Sequence, residues 1–173
     1  ISTARAITTR ASIRTGLQTI VGMVVEPDGD LLLLDRARLT RLRMPEGVYD
    51  HVAGDPTALQ LAPSDQNDGD GGPAAAARFV NAVDVAVDAA GVIYVADGAS
   101  PSHVIRRIGL DGVITTVAGG GAANSAPNDG DGGPAVAAHF EPIRGIDVDA
   151  DGNVVATENS GSSVHRVRRV LLN

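Results

Sequence analysis

Short apolar runs, each strand-sized, alternate along the chain with Asp-Gly-type turns, and none keeps a helical period. Residues 83–88 alternate and lead into the turn Ala89-Ala90-Gly91; residues 92–97 form a β-branched run. After the break at residues 98–101 come residues 103–108, the turn Leu110-Asp111-Gly112 and residues 113–118. This pattern predicts four short strands joined by tight hairpins. A later stretch predicts three more: residues 143–149, the turn Asp151-Gly152, residues 153–157, a break at 159–161, and residues 164–170. An earlier stretch predicts four: residues 20–26, the turn Pro27-Asp28-Gly29, residues 31–35 and 40–44, the turn Pro45-Glu46-Gly47, and residues 48–53.

The stretches are copies of one another. Asn67-Asp68-Gly69-Asp70-Gly71-Gly72-Pro73-Ala74 recurs as Asn128-Asp129-Gly130-Asp131-Gly132-Gly133-Pro134-Ala135, an offset of 61 residues that also maps Phe79 to Phe140, Asp88 to Asp149 and Gly91 to Gly152. Units of this size cannot bury an apolar face alone and are expected to stack or to ring an axis. Residues 7–12 (Ile-Thr-Thr-Arg-Ala-Ser) match residues 114–119 (Ile-Thr-Thr-Val-Ala-Gly) at four of six positions, so they read as the fourth strand that the last copy lacks. The expected division is therefore a completing strand at 6–12, a first blade at 17–54, a second at 79–119 and three strands of a third at 140–172.

The succession Ile-x-Thr-x-Ala-Gly (114–119), Gly-Asp-Gly-Gly-Pro-Ala (130–135), Phe-x-Pro-x-x-Gly-Ile-x-Val-Asp (140–149), Asp-Gly-Asn-x-x-Ala (151–156) and Ile-Arg-Arg-Ile (105–108) resembles the NHL repeat of bacterial β-propeller proteins. The resemblance implies an all-β fold with three four-stranded blades per chain, half of a six-bladed propeller. Departures are Thr157-Glu158 in place of Ala-Asp, the absence of Pro and Gly in residues 80–84, and a first unit with little of the signature. A ring takes typically four to eight blades, so three need a complement. Two complements are expected: a homodimer in which residues 7–12 of each copy finish the last blade of the other, preferred because the strand count comes out whole, or further blades of a longer parent chain. The start at Ile1 is read as that of a processed or excised piece.

Composition narrows the function classes. A chain of 173 residues with 43% hydrophobic content and mean hydropathy of +0.06 is a globular protein, with no apolar run long enough for a membrane-spanning helix. A net charge of −7 with two Tyr, two Phe and no Trp argues against nucleic acid. Lys is absent, which excludes a Schiff base and, with the Ala, Gly, Asp and Val bias, fits a high-GC bacterial genome. Without Cys there is no disulfide, thiolate nucleophile or sulfur ligand, and the redox compartment stays open; a secreted or cell-surface setting is preferred.

Candidate chemistry is sparse. The long loops at 54–78 and 119–139 are expected to share one face with residues 98–103 and 159–163, and binding is expected there or in the channel beneath. Asp68, Asp70, Asp129 and Asp131 offer hard oxygens, so calcium is the cofactor alternative, but the spacing lacks the remaining ligands of an EF-hand loop and fits Asp-Gly turn chemistry better. His51, His103, His139 and His165 fall at non-equivalent places in the repeat, which disfavours a zinc site, and no Gly-x-Ser-x-Gly elbow is present. Arg144 begins an innermost strand where the other copies carry Val83 and Val21, so its charge is free to hold an anion or to pair with Glu141 or Asp147. With His103, Glu141 and Glu158 it makes the expected ligand set. The Arg residues at 106, 107, 166, 168 and 169 are expected to face solvent or to bridge blades. The expected function is a non-enzymatic recognition or assembly module for a protein or small ligand; the alternative is a propeller lyase or lactone hydrolase with a divalent cation in the channel.

Overall fold

The computed structural model of the chain describes residues 19–55, 69–99, 102–122, 129–159 and 165–172. The expected completing strand at 6–12 lies outside the described residues. Among the described residues, eleven strands fall into three antiparallel sheets met in chain order. The first holds β1 (Gly22–Val25), β2 (Leu31–Leu34), β3 (Leu39–Arg43) and β4 (Val48–Ala53); the second holds β5 (Asp84–Val87), β6 (Ile93–Ala99), β7 (Ser102–Ile108) and β8 (Ile114–Gly119). The third has β9 (Ile143–Val148), β10 (Val154–Asn159) and β11 (His165–Val170), with β11 on its edge. This is the nearly all-β architecture of a partial NHL β-propeller, each sheet a blade with its first strand innermost.

The turns follow from local chemistry. Gly91 and Gly152 adopt φ of +88° and +81°, which L side chains resist. The carboxylates of Asp88 and Asp149 accept the N–H groups two and four residues on, closing the β5–β6 and β9–β10 hairpins. In β1 the ladder stops at Val25 because Glu26 already closes the turn, donating its N–H to the Asp30 carbonyl.

Between blades the alternate faces interdigitate. Leu32, Leu34 and Leu39 of the first blade pack against Val85, Ile93, Val95, Ile108 and Ile114 of the second. The other face of the second blade, Tyr94, Ala96, Ile105 and Ala118, meets Ile146, Val154, Ala156 and Val170 of the third. Each such fully buried Leu, Ile or Val contributes roughly 1.5–3 kcal/mol. The outer faces of the arc lack this cover. Met23 and Val25 are 60% and 58% exposed on the first blade, and Val167 on the third is 72% exposed, although Val85 and Ile105, the counterparts of Met23 and Val167 in the second, are buried.

Two expectations are corrected here. The repeat offset does not stay at 61: Arg106 and Arg168 occupy equivalent places, as do Ile108 and Val170, because the break between second and third strands is one residue longer in the last copy. Nor do the long loops keep to one face. Pro73 bridges to Val113, Gly71 donates to the Ile114 carbonyl and Ile114 donates to that of Gly72, so the segment runs down the outside of β8 to the hairpin-turn side. It there covers a sheet edge that would otherwise be open. A single 3-10 turn, Ala74–Ala76, then starts behind Pro73, and Ala135–Ala137 repeats it behind Pro134.

Candidate functional site

The Gly-Asp-Gly-Gly loops are held by arginines from third strands. Arg106 on β7 is fully buried; its guanidinium donates to Asp70 at 2.6 Å and to the Arg78 carbonyl at 2.7 Å, and lies 5.9 Å from the Phe79 ring centre. The second Asp70 oxygen accepts the Thr116 N–H at 2.7 Å, so this one carboxylate ties its loop to both β7 and β8. Arg168 repeats the device on β11, donating to Asp131 at 2.5 Å and to the His139 carbonyl at 2.6 Å, 4.7 Å from the Phe140 ring centre. The expectation that these arginines face solvent or bridge blades is thus wrong for Arg106 and Arg168: both are interior clamps within a repeat. It holds for Arg169, which is 47% exposed and pairs with Asp149 and Asp151.

These contacts also define what the acidic loop residues can do. Asp70 has both oxygens engaged, Asp129 pairs with Arg166 at 2.8 Å and Asp131 with Arg168; Asp68 lies outside the described residues. Among the described residues no group of three or more His, Asp or Glu is placed to hold a metal ion.

A second recurring device closes the ends of β6 and β10. Asp97, at the end of the buried run on β6, accepts the N–H groups of Val80, Asn81 and Gly98 at 3.1, 2.8 and 2.8 Å. Its counterpart is Glu158, which accepts the Glu141 N–H at 2.8 Å and pairs with Arg166 at 2.8 Å. Burial raises the pKa of both carboxyls, opposed by the N–H donors and nearby arginines. Glu158, expected as a ligand residue, is 2% exposed and spends its carboxylate on anchoring the segment that enters the third blade. The longer side chain at Thr157-Glu158, where the other blade has Ala96-Asp97, keeps the same function.

His103, His139, Glu141 and Arg144 gather where the second and third blades meet. His103 is 8% exposed, and its Nε2 meets no hydrogen-bond partner among the described residues. Burial lowers its pKa, the charges of His139 and Arg144 lower it further, and Glu141 opposes them. The His139 ring Nδ1 lies 3.2 Å from the Gly121 carbonyl. Arg144, on β9, is exposed and forms no ion pair with a described residue, neither Glu141 nor Asp147. Of the expected ligand set, then, His103, Glu141 and Arg144 share one electrostatic neighbourhood, and among the described residues neither the Arg144 guanidinium nor the Glu141 carboxylate is in an ion pair.

One inner-strand residue escaped the sequence reading. Asp84 on β5 accepts the Ile146 N–H of β9 at 2.9 Å and the Val85 N–H at 2.9 Å. The equivalent positions in the flanking blades are Gly22 and Gly145; a Cβ there would come within 3.1 Å and 3.4 Å of the Asp84 oxygens. The signal was available as Gly, Asp and Gly at one register position, but the apolar alternation around Asp84 hid it.

The comparisons agree with this geometry. The family model of the teneurin NHL domain matches residues 32–128, more than half of the chain. No curated protein matches. Similar solved structures include a protein of unknown function from Bacteroides thetaiotaomicron at 22% identity and TM-score 0.60, over 82% of this chain and 33% of that one. An auxiliary nutrient binding protein from the same organism gives 20% and 0.58, over 86% and 37%. A provisionally assigned gluconolactonase gives 15% and 0.53, over 87% and 44%. The chain thus spans less than half the length of each, and at these identities the likeness concerns the fold. With its two Gly-Asp-Gly-Gly loops, its Arg clamps and its four-stranded antiparallel blades, the chain belongs to the teneurin NHL domain family and is built from NHL β-propeller repeats.

Proposed function

We propose that this NHL unit is a non-enzymatic recognition and assembly module, binding through the blade ends and long-loop residues that its own fold leaves uncovered. The observation that carries the reading is the contrast between engaged and unengaged groups. The carboxylates of Asp70, Asp84, Asp97 and Glu158, which a hydrolytic site would draw on, are committed to backbone N–H groups and guanidinium partners. Among the described residues, the unengaged groups are those of a surface that meets a partner: the apolar Met23 and Val25, the edge of β11, and the charge of Arg144.

The test is gluconolactone hydrolysis by the unmodified chain in Ca²⁺, Zn²⁺ or EDTA. The reading predicts the buffer rate in all three. A metal-dependent rate above background that EDTA removes overturns it and establishes the alternative, a propeller hydrolase with a divalent cation in its channel.

A further inference from the structure

The second and third blades carry the same loop, but only the second uses it fully. There, Gly71 N–H, the Gly72 carbonyl and Ala74 N–H bond to Ile114, Ile114 and Gly112, while Asp70 takes the Thr116 N–H. The loop is a ready template along the outer side of the fourth strand. In the third blade the template is rebuilt with the same internal bonds, Gly133 to Gly130 and Ala138 to Ala135. Its clamp, Arg168 to Asp131, is also in place. Yet among the described residues nothing meets Gly132 N–H, the Gly133 carbonyl, Ala135 N–H or the second Asp131 oxygen. The Asp131 side chain is 58% exposed, against 26% for Asp70. Between this loop and β11 lies a cleft of about 230 Å³ lined by Asp131, Gly132, Gly133, Phe140, Arg168 and Val170.

We infer that this cleft is a docking slot for one β-strand, and that its occupant is residues 7–12 of a second copy of the chain. This rests on the assembly reading above. Three observations select the occupant. Residues 7–12 repeat the Ile-Thr-Thr-x-Ala core of β8, the strand that fills the matching slot. In chain order a fourth strand leads through a loop into the innermost strand of the next blade, as β4 leads to β5, so residues 7–12 belong to the blade preceding β1. The open face of the first blade is apolar and turned away from the third blade of its own chain, with the second blade packed between them. A third blade of another copy satisfies both the strand and the face, and the exchange closes a twofold ring of six blades.

The β7–β8 register sets the test. Ile114 opposes Ile108 but spends its N–H and carbonyl on Gly72 and Gly71, so the two form a non-hydrogen-bonded pair of about 4.5 Å between Cα atoms, within disulfide reach. The equivalent pair across the slot is Ile7 with Val170, and the chain has no native Cys to interfere. Ile7→Cys and Val170→Cys chains carrying different tags are mixed, oxidised and run without reductant. The expected result is a covalent heterodimer of the two tags, at least tenfold more abundant than with Thr8→Cys in place of Ile7→Cys, whose side chain points to the other face. Equal crosslinking by both variants, no crosslink, or a monomeric intrachain disulfide in the Ile7→Cys/Val170→Cys double variant overturns the inference. Because the hydrolysis assay uses the unmodified chain, failure of the slot and failure of the non-enzymatic reading are read separately.

Discussion

Arg106 and Arg169 both lie on third strands and look alike in sequence, yet one is fully buried and the other half-exposed. Removing one partner of a buried ion pair leaves the other uncompensated, typically costing about 3–5 kcal/mol. Arg106→Met is therefore expected to lower the unfolding free energy by roughly that amount, because Asp70 and the Arg78 carbonyl lose their donor. Arg169→Ala, which severs only surface pairs, leaves the urea midpoint almost unchanged. His103 gives a pH prediction. Its folded pKa is lowered, so below the ordinary value of about 6.5 the unfolded chain binds the proton more readily than the folded one. This group's contribution is thus complete above that value and is lost as the pH falls towards the folded pKa. Urea midpoints at pH 7.5 and 5.5 should differ less in His103→Asn than in the parent chain; an unchanged difference would contradict the buried neutral imidazole.

At the scale of elements, two glycines separate turn chemistry from close packing. Gly112 and Gly119 both have positive φ, +75° and +88°, but a Cβ on Gly112 meets nothing within 4 Å whereas one on Gly119 would lie 2.2 Å from the His103 carbonyl oxygen. Gly112→Ala is expected to cost about 1–2 kcal/mol, from backbone conformation alone. Gly119→Ala should cost several-fold more, since the β7–β8 ladder must move, and a thermal melt of each checks the order. The hairpins were legible because Asp-Gly turns and period-two alternation act over a few residues. The Arg clamps were not, because they join residues 36 or 37 apart, and a one-residue lengthening of the loop before β11 breaks the register that would have aligned Arg106 with Arg168. Glu158 illustrates a related limit: an acid on a strand end reads as a ligand until the N–H groups it faces are known. The exposure of Arg144 fits its counterparts Val21 and Val83, which show in the sequence that the fold does not require a charge there.

At the scale of the whole molecule the second blade is covered on both faces and along its outer edge; the first and third each expose apolar side chains on the face turned away from it, and among the described residues nothing pairs with the outer edge of β11. Exposed Met23 and Val25 on one end and, among the described residues, an unfilled strand slot on the other are complementary kinds of surface, and neither is a stable end for an isolated arc. Charging the apolar end should prevent closure without disturbing the blades: Met23→Glu is expected to keep the β circular dichroism spectrum and halve the solution mass. Closure of two chains into one ring is tested by the mass of the unmodified chain by light scattering at micromolar concentration, with and without EDTA. The expected mass is twice the 17.6 kDa of one chain, unchanged by the chelator. A single-chain mass, or a dimer that EDTA dissociates, would contradict it.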